Sequence, residues 1–209
     1  SRTGCLRCCY IGANGKIVER TAARFVFAIK ESDGSIIGWG VNNAGELPGP
    51  ALTNVEQLDG GANHVVAVKS DGTLVAWGLN TKGQATVPPG ITNAIQVSAG
   101  KNHSLALLST GQVIGWGSNS MGQLTIPSTA VDLVSVSAGR ECSLAVKADG
   151  KIVAWGNKLY IKFTPPVTEG VAIASDNIHS IVGLRNGGIA VAGPDVYGIY
   201  RSRTPTPTP

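Results

Sequence analysis

The side chains best suited to acid–base or nucleophilic chemistry recur at a nearly fixed spacing. His64 and His103 are 39 residues apart, Cys142 follows 39 residues later, and His179 follows after a further 37. An enzyme active site brings dissimilar groups together at one point, whereas evenly spaced residues occupy the same position in successive copies of a repeated unit. This column of residues therefore predicts structural positions rather than a catalytic site.

The acidic residues lead to the same prediction. Asp33, Asp71 and Asp149 each precede a glycine in a turn motif. No paired carboxylates, Ser-His-Asp arrangement or phosphate-binding loop stands apart from the repeat. The sequence predicts a protein that is not an enzyme, with no catalytic residues, no cofactor and no bound metal.

Three further cysteines, Cys5, Cys8 and Cys9, lie close together near the start of the sequence. Their Cys-x-x-Cys-Cys spacing is compatible with half of a zinc site, with a disulfide, or with unpaired thiols. No second pair of Cys or His ligands follows at zinc-binding spacing. A disulfide among these three residues would indicate an oxidising compartment.

Tryptophan marks the period of the repeat. Trp39, Trp77, Trp116 and Trp155 are separated by 38, 39 and 39 residues, and each is followed by glycine. Aromatic residues often anchor protein interfaces. The fixed phase nevertheless favours a scaffold role for these four residues, packed between repeated units.

A turn dipeptide recurs with the same period between two apolar runs. The five dipeptides are Asp33-Gly34, Asp71-Gly72, Thr110-Gly111, Asp149-Gly150 and Asn186-Gly187. Asp-Gly and Asn-Gly are typical of β-hairpins in which both turn residues have φ > 0. We therefore predict five hairpins.

Each hairpin has an apolar strand on either side, and most have a third, shorter strand before them. The predicted strands before the turns are 25–30, 64–69, 103–108, 142–147 and 179–184, those after the turns are 36–40, 74–78, 113–117, 152–156 and 189–193, and the third strands are 55–58, 95–97, 134–136 and 171–174. A three-stranded sheet cannot bury both of its faces alone, so neighbouring sheets must stack on it. We predict an all-β fold, a β-propeller or an open propeller-like arc, of about five three-stranded blades with a 38–39-residue repeat.

One unit shows the whole pattern. It reads His103-Ser104-Leu105-Ala106-Leu107, a turn, Val113-Ile114-Gly115-Trp116-Gly117-Ser118-Asn119, and then Gly122-Gln123. This pattern resembles the regulator-of-chromosome-condensation repeat family, over roughly residues 22–193, and its short period is similar to a compact branch that includes a propeller-type β-lactamase inhibitory protein with three-stranded blades. The resemblance implies a propeller that binds or regulates a protein partner. Propellers of that family usually have seven blades, whereas five units are present here.

The last two units depart from the repeat. Ala192 replaces the tryptophan of the fifth unit, and Lys158 and Ile161 stand where the fourth unit should have Asn and Gly. Both units carry aromatic residues outside the repeat pattern, namely Tyr160, Phe163, Tyr197 and Tyr200. Loss of a local rule without a packing gain is expected at functional positions. These four residues are candidates for contacting a partner, with end-capping of the array as the alternative.

The two ends differ from the repeats at 18–200. Residues 1–17 form a degenerate segment, whose strand-like stretch at 11–18 is a candidate for closing the ring against the last blade or for pairing with a neighbouring subunit. Residues 201–209 form a Thr/Pro-rich tail. Such a tail favours extended polyproline II structure and is typical of O-glycosylated stalks. Its candidate glycosylation sites are Thr204, Thr206 and Thr208.

The charge is modest and dispersed. Seventeen Lys and Arg against 13 Asp and Glu give a net charge of +4, and only Arg201 and Arg203 form a small cluster. Nucleic-acid-binding domains usually carry a clustered basic face, so we expect no nucleic-acid partner. No apolar run reaches the roughly 18 residues of a membrane span.

Together these features predict a secreted, extracellular or cell-surface module that is structural or adhesive and non-catalytic. We expect it to carry O-linked glycans on its tail and to self-associate as a subunit of a larger assembly. The alternative is a soluble propeller that binds or inhibits a protein partner on its loop face.

Overall fold

The structure is a computed structural model that describes residues 18–21, 25–30, 32–163, 167–176 and 179–194. Several predicted features lie outside these residues. They are the N-terminal segment 1–17, the tail 201–209, and with them Cys5, Cys8, Cys9, Tyr197, Tyr200, Thr204, Thr206 and Thr208.

Fifteen strands, and no helix, occur in the described residues. They are β1 (Val18–Thr21), β2 (Phe25–Ile29), β3 (Ile36–Gly40), β4 (Val55–Gly60), β5 (His64–Lys69), β6 (Leu74–Gly78), β7 (Ala94–Ala99), β8 (His103–Leu108), β9 (Val113–Gly117), β10 (Leu133–Ala138), β11 (Cys142–Lys147), β12 (Ile152–Gly156), β13 (Gly170–Ser175), β14 (Ser180–Leu184) and β15 (Ile189–Ala192). Consecutive groups of three form five separate antiparallel sheets, which we number blade 1 (β1–β3) to blade 5 (β13–β15). The predicted all-β architecture of three-stranded blades is confirmed.

The blades stack face to face in chain order. The first strand of each blade contacts the first strand of the next, and the middle strands β5 and β8 also contact the first strands β7 and β10 of the following blades. First strands therefore line the inner side of the array and third strands lie on its outer side. Within the described residues, blades 1 and 5 do not pack together as neighbouring blades do. The sheets are not closed into a ring.

The first described strand completes the sheet of blade 1. Val18, at the end of the stretch considered for ring closure, pairs with Ile29 in the middle strand of its own blade. Residues 11–17 of that stretch lie outside the described residues, so a closing or exchanged strand there stays a prediction.

The hairpins form where predicted, but their turns differ from the prediction. In blade 2 the amide of Gly72 donates to the Lys69 carbonyl (2.9 Å), and the amide of Lys69 donates to the Thr73 carbonyl (3.0 Å). Gly72 has φ 74°, whereas Asp71 is not among the described residues with positive φ. This is a three-residue loop with glycine in the left-handed position, so the prediction that both turn residues have φ > 0 is wrong. Asp71 instead stabilises the turn by accepting the Thr73 amide (2.9 Å).

The first strands of blades 2 to 5 are longer than predicted and contain a bulge. In blade 3 the pairing of β7 with β8 shifts between Ala94 and Gln96, which leaves Ile95 without a partner in β8. Blades 2, 4 and 5 have the same shift. A bulge breaks the in–out alternation of a strand, and this is why the sequence pattern indicated only short runs here.

Side chains cover the free inner edge of these strands. The Gln57 side-chain oxygen accepts the Val97 amide of the next blade (3.0 Å), and Gln96 accepts the Val136 amide in the same way (2.9 Å). A second set of side chains makes equivalent hydrogen bonds two residues further along the strands. The acceptors and donor amides are Asp59 and Ala99 (3.1 Å), Ser98 and Ala138 (3.0 Å), and Ser137 and Ser175 (2.9 Å). An unpaired edge would be a template for strand addition; these side chains occupy it.

Consecutive blades lie close together at a glycine between the first and middle strands. A Cβ atom on Gly100 would lie 2.3 Å from the carbonyl oxygen of Gly139 and 2.4 Å from Cε1 of His103. A Cβ on Gly61 would lie 2.2 Å from the carbonyl oxygen of Gly100. The backbones of the two blades are hydrogen-bonded to each other at this point, since the Lys101 amide donates to the Gly139 carbonyl (3.2 Å).

We expect Gly100→Ala to lower the free energy of unfolding by about 3 kcal/mol, because the added methyl group meets a backbone carbonyl that cannot move without separating two blades. The matched control is Gly183→Ala, whose Cβ would have its nearest contact at 3.6 Å, on the Ala172 Cβ. This control should change stability by less than about 1 kcal/mol. Urea denaturation measures both variants, and equal destabilisation would contradict the close approach of the blades at Gly100.

Candidate interaction surfaces

Three of the four residues of the repeated column, His64, His103 and Cys142, are buried between blades, whereas His179 in blade 5 is partly exposed and lies 3.8 Å from the Asp176 carboxylate. His64 and His103 are fully buried. Nε2 of His64 lies 3.0 Å from Oγ of Ser104 in the next blade. Nε2 of His103 makes the equivalent contact with Ser143 at 3.1 Å. The Ser104 hydroxyl donates its hydrogen to the Gln84 carbonyl (2.8 Å). The Ser104 oxygen therefore accepts a hydrogen bond from the Nε2–H group of His64.

Three tryptophans reach the same loop carbonyls from the outer strand. Each indole N–H donates to a carbonyl oxygen in the loop that follows the preceding blade, and the pairs are Trp77 with Glu46 (2.8 Å), Trp116 with Gln84 (2.9 Å) and Trp155 with Gln123 (2.8 Å). At Gln84 and Gln123 one carbonyl thus accepts both a serine hydroxyl and an indole N–H. The outer strand, the middle strand and the connecting loop are therefore fixed to one another.

Trp39 is placed differently from its three equivalents. It is 49% exposed, whereas Trp116 and Trp155 are 6% and 5% exposed. No hydrogen-bond acceptor reaches its indole N–H from the described part of the chain. The difference arises because Trp77, Trp116 and Trp155 each pack against the preceding blade. No described blade precedes blade 1, so Trp39 has no such neighbour.

Each connecting loop is held by its own polar side chains. In the loop after blade 2 the Asn80 oxygen accepts the Ala85 amide (3.0 Å), and the Gln84 oxygen accepts the Lys82 amide (2.8 Å). Glu46 takes the glutamine position after blade 1 and accepts the Ala44 amide (2.7 Å). Burial raises the pKa of Glu46, but hydrogen bonds from Ala44 and from the Asn63 side chain outweigh this effect, and the pKa lies below its usual value.

Burial between blades changes the acid–base properties of three residues of the column. Burial lowers the pKa of both His64 and His103 to about 4. At His103 the nearby His64 lowers the pKa further. Burial raises the pKa of the Cys142 thiol to about 11. At neutral pH all three side chains are uncharged. The two histidines are thus poor proton acceptors, and the Cys142 thiol is a poor source of thiolate.

The structure describes two of the four aromatic residues predicted to contact a partner. Tyr160 and Phe163 are half-buried in the loop between blades 4 and 5. The Tyr160 carbonyl accepts the Ser180 hydroxyl (3.0 Å), which is the role of Gln84 and Gln123 in the preceding loops. The backbone of Tyr160 therefore follows the repeat although its side chain does not.

A row of exposed apolar residues lies on the inner side of the array. Ile95, Val134 and Val171 are 58%, 55% and 49% exposed, and each is the bulge residue of a first strand. The strands that carry them contact one another in sequence, β7 with β10 and β10 with β13. We call these three residues the inner-rim stripe. In blade 2 the same position is the exposed Glu56.

Sequence reasoning assigned the stripe residues to strands but not to a functional surface. Their spacing of 39 and 37 residues was visible. What the pattern did not show is the bulge, which turns an apolar strand residue towards solvent.

The described residues contain no group of three or more His, Cys, Asp or Glu side chains arranged to hold a metal ion. They also contain no helix long and apolar enough to cross a membrane.

Comparison with known families supports the repeat assignment. Residues 55–84 and 94–123 match the family model of the regulator of chromosome condensation (RCC1) repeat. Each stretch begins in the first strand of a blade, blade 2 or blade 3, and ends at the glutamine of the loop that follows it, Gln84 or Gln123. Blades 2 and 3 therefore match RCC1 repeats, and the predicted resemblance is confirmed for these two units. No curated protein matches the chain in sequence.

Solved structures with the same fold are propellers. The human WBSCR16 structure has a TM-score of 0.72 and 16% identity over 88% of this chain and 63% of its own. The CRINKLY WD40 ectodomain of the Arabidopsis thaliana receptor kinase ACR4 has a TM-score of 0.68 and 18% identity over 86% and 64%. Yeast RCC1 (Prp20), solved with Kap60, has a TM-score of 0.65 and 19% identity over 82% and 54%. The chain thus spans less than two thirds of the length of each neighbour.

The buried histidines predict an acid-sensitive fold. Because the folded pKa of about 4 lies below the value of about 6.5 in an unfolded chain, the unfolded state binds more protons between these values. Stability is therefore complete above about pH 6.5 and falls as the pH decreases towards 4, by roughly 1.4 kcal/mol per pH unit for each histidine.

Urea denaturation at pH 7, 6, 5 and 4 measures this slope. His103→Gln should reduce it by about half, since one of the two depressed groups is removed. His179→Gln is the control, because it leaves His64 and His103 in place. An unchanged slope in His103→Gln would contradict the assignment.

Proposed function

We propose that the protein is a non-catalytic protein-interaction module that seats a protein partner on the inner-rim stripe. The observation that carries this proposal is the stripe itself, in which Ile95, Val134 and Val171 occupy equivalent positions on adjacent strands and each exposes about half of its surface. Single exposed apolar residues are common. A row of them on a rigid sheet is typical of a surface that another protein covers.

The surroundings of the stripe favour contact through side chains rather than strand addition. The side chains of Gln57, Gln96 and Asp59 already accept the backbone amides of the inner strand edges next to the stripe. A partner would meet β-branched side chains, whose few rotamers lose little entropy on binding. Glu56 at one end of the stripe adds a charge that restricts the orientation of the partner.

A protein of similar fold has been solved together with a protein partner. Yeast RCC1 (Prp20) was solved with Kap60 bound. We extend the class of function, protein binding, to this chain and not the identity of the partner. The four aromatic residues of the last two units, Tyr160, Phe163, Tyr197 and Tyr200, are proposed as an additional contact region.

A matched pair of variants tests the stripe. Val134→Glu places a charge in the centre of the stripe, whereas Val131→Glu makes the same change three residues earlier at a position that is 46% exposed and off the stripe. Immobilised wild-type protein and both variants are compared by quantitative mass spectrometry of captured proteins, and the recovered partner is then titrated. We expect Val134→Glu to weaken binding at least tenfold, about 1.4 kcal/mol, and Val131→Glu to bind as wild type. A partner that binds both variants equally would contradict the proposal.

We propose an extracellular, structural or adhesive setting for this module, on the basis of its two flanking segments. Residues 18–200 would form the propeller, residues 1–17 a segment with a disulfide among Cys5, Cys8 and Cys9, and residues 201–209 a stalk glycosylated at Thr204, Thr206 and Thr208. Alternating Thr and Pro keeps a chain extended and its hydroxyl groups accessible. Binding at the stripe does not depend on this setting.

Intact-mass measurement of the protein from its natural source tests the setting. We expect hexose-type mass increments that disappear on enzymatic removal of O-glycans, and a gain of two hydrogens per disulfide on reduction. Peptide mapping should place the increments on the three tail threonines. An unmodified mass with all cysteines free would contradict the extracellular proposal.

A further inference from the structure

Blade 1 exposes a face that is wholly or partly covered in the later blades. Ile37 and Trp39 are each 49% exposed and Val41 is 45% exposed, and all three lie on the side of blade 1 that faces away from blade 2. In blade 2 the equivalent tryptophan packs against the preceding blade, with the Trp77 ring 5.6 Å from the ring of Phe27. The face around Trp39 is therefore built to receive another blade. We call these three residues the leading face.

Blade 5 exposes the opposite face. Ile181 occupies the position of Leu105 and Leu144, two residues after the histidine or cysteine of the column. It is 40% exposed, whereas both leucines are fully buried. On the next strand Ile189 is 69% exposed, although Val113 at the same position of blade 3 is buried. We call Ile181 and Ile189 the trailing face.

The internal interfaces show how such faces fit together. Phe25, Phe27 and Ile29, on the trailing side of blade 1, pack with Val65 and Trp77 on the leading side of blade 2 in one buried cluster. The junctions of blades 2 and 3, and of blades 3 and 4, have the same arrangement. Trailing and leading faces are thus the two halves of one interface, which recurs at the three junctions between blades 1 and 4.

We infer that the leading face of one molecule binds the trailing face of a second copy of this chain. The two exposed faces at the ends of the array are the same two halves that meet inside it, so the contact continues an interface already present in the structure. Because it joins two different faces, the contact is heterologous. Repetition closes a ring of copies if the rotation permits and otherwise extends a filament.

The contact also accounts for the exposed tryptophan. A large aromatic side chain is seldom left half exposed at a position where two of its repeat equivalents, here Trp116 and Trp155, are buried. A blade stacked on the leading face would cover Trp39 together with Ile37. The residues named on the two faces are uncharged, and His179 on the trailing side of blade 5 has its partner Asp176 within its own blade, 3.8 Å away.

Complementation between two variants tests the head-to-tail contact. Trp39→Glu disables the leading face and Ile181→Glu disables the trailing face, and both residues are exposed enough for the fold to tolerate the charge. Sedimentation velocity of the full chain should show wild type at twice the 21.4 kDa chain mass or more and each variant alone as a single chain. An equimolar mixture of the two variants should restore a species of two chains and no larger one, because only one intact pair of faces remains.

Two controls distinguish this contact from unfolding and from association through another surface. Val131→Glu, on neither face, should assemble as wild type, and circular dichroism melting should show that all variants are folded. The stripe variant Val134→Glu should also assemble normally, so that failure of the head-to-tail contact and failure of the partner-binding proposal are distinguishable.

Three outcomes would overturn the inference. Wild type that stays a single chain at every concentration would indicate that the chain covers its own ends. Failure of the mixture to form two-chain species would exclude the head-to-tail geometry. Assembly that neither Trp39→Glu nor Ile181→Glu affects would exclude both faces from the contact.

Discussion

The packing of one blade against the next is the interaction on which the rest of the structure depends. A three-stranded sheet with apolar residues on both faces has no stable exposed state in water, and burial of each Leu, Ile or Val contributes about 1.5–3 kcal/mol relative to leaving it exposed. Leu105 and Ala106, neighbours in one strand, are both completely buried, one against the following blade and one against the preceding blade. No blade can reach this state alone. Stability is therefore carried by nearest-neighbour contacts, as in other repeat proteins.

Polar residues inside this apolar interface come in matched pairs. Where the column carries His64 or His103, the next blade provides a serine. Where it carries Phe25, the residue facing it from blade 2 is Val65, and both lie in one apolar cluster. A serine opposite phenylalanine would be buried without a partner, which costs free energy. The pairing follows from hydrogen bonding, and it fixes the alignment of neighbouring blades more specifically than apolar packing does.

The same packing decides which surfaces remain for function. His64, His103 and Cys142 are buried in the interfaces, and glutamine, serine and aspartate side chains cover the inner backbone edges. What stays exposed and apolar is the inner-rim stripe, which the bulges create, and the two terminal faces, which exist because the array is open. Function in such a fold resides in these surfaces and not in the propeller as such.

The period, the hairpins and most strand bounds could be predicted from the amino-acid sequence, whereas the exposure of equivalent residues could not. Strands β5, β8 and β11 run over the predicted residues, because turn glycines between apolar runs are local signals that each repeat carries in full. Trp39 and Trp116 stand in nearly identical local sequences, yet one is half exposed and the other buried, because exposure depends on whether another blade precedes. The bulges that expose Ile95 and Val134 likewise arise from pairing with a neighbouring strand. Local sequence fixes conformation within a repeat, whereas burial is a property of what the repeat stacks against.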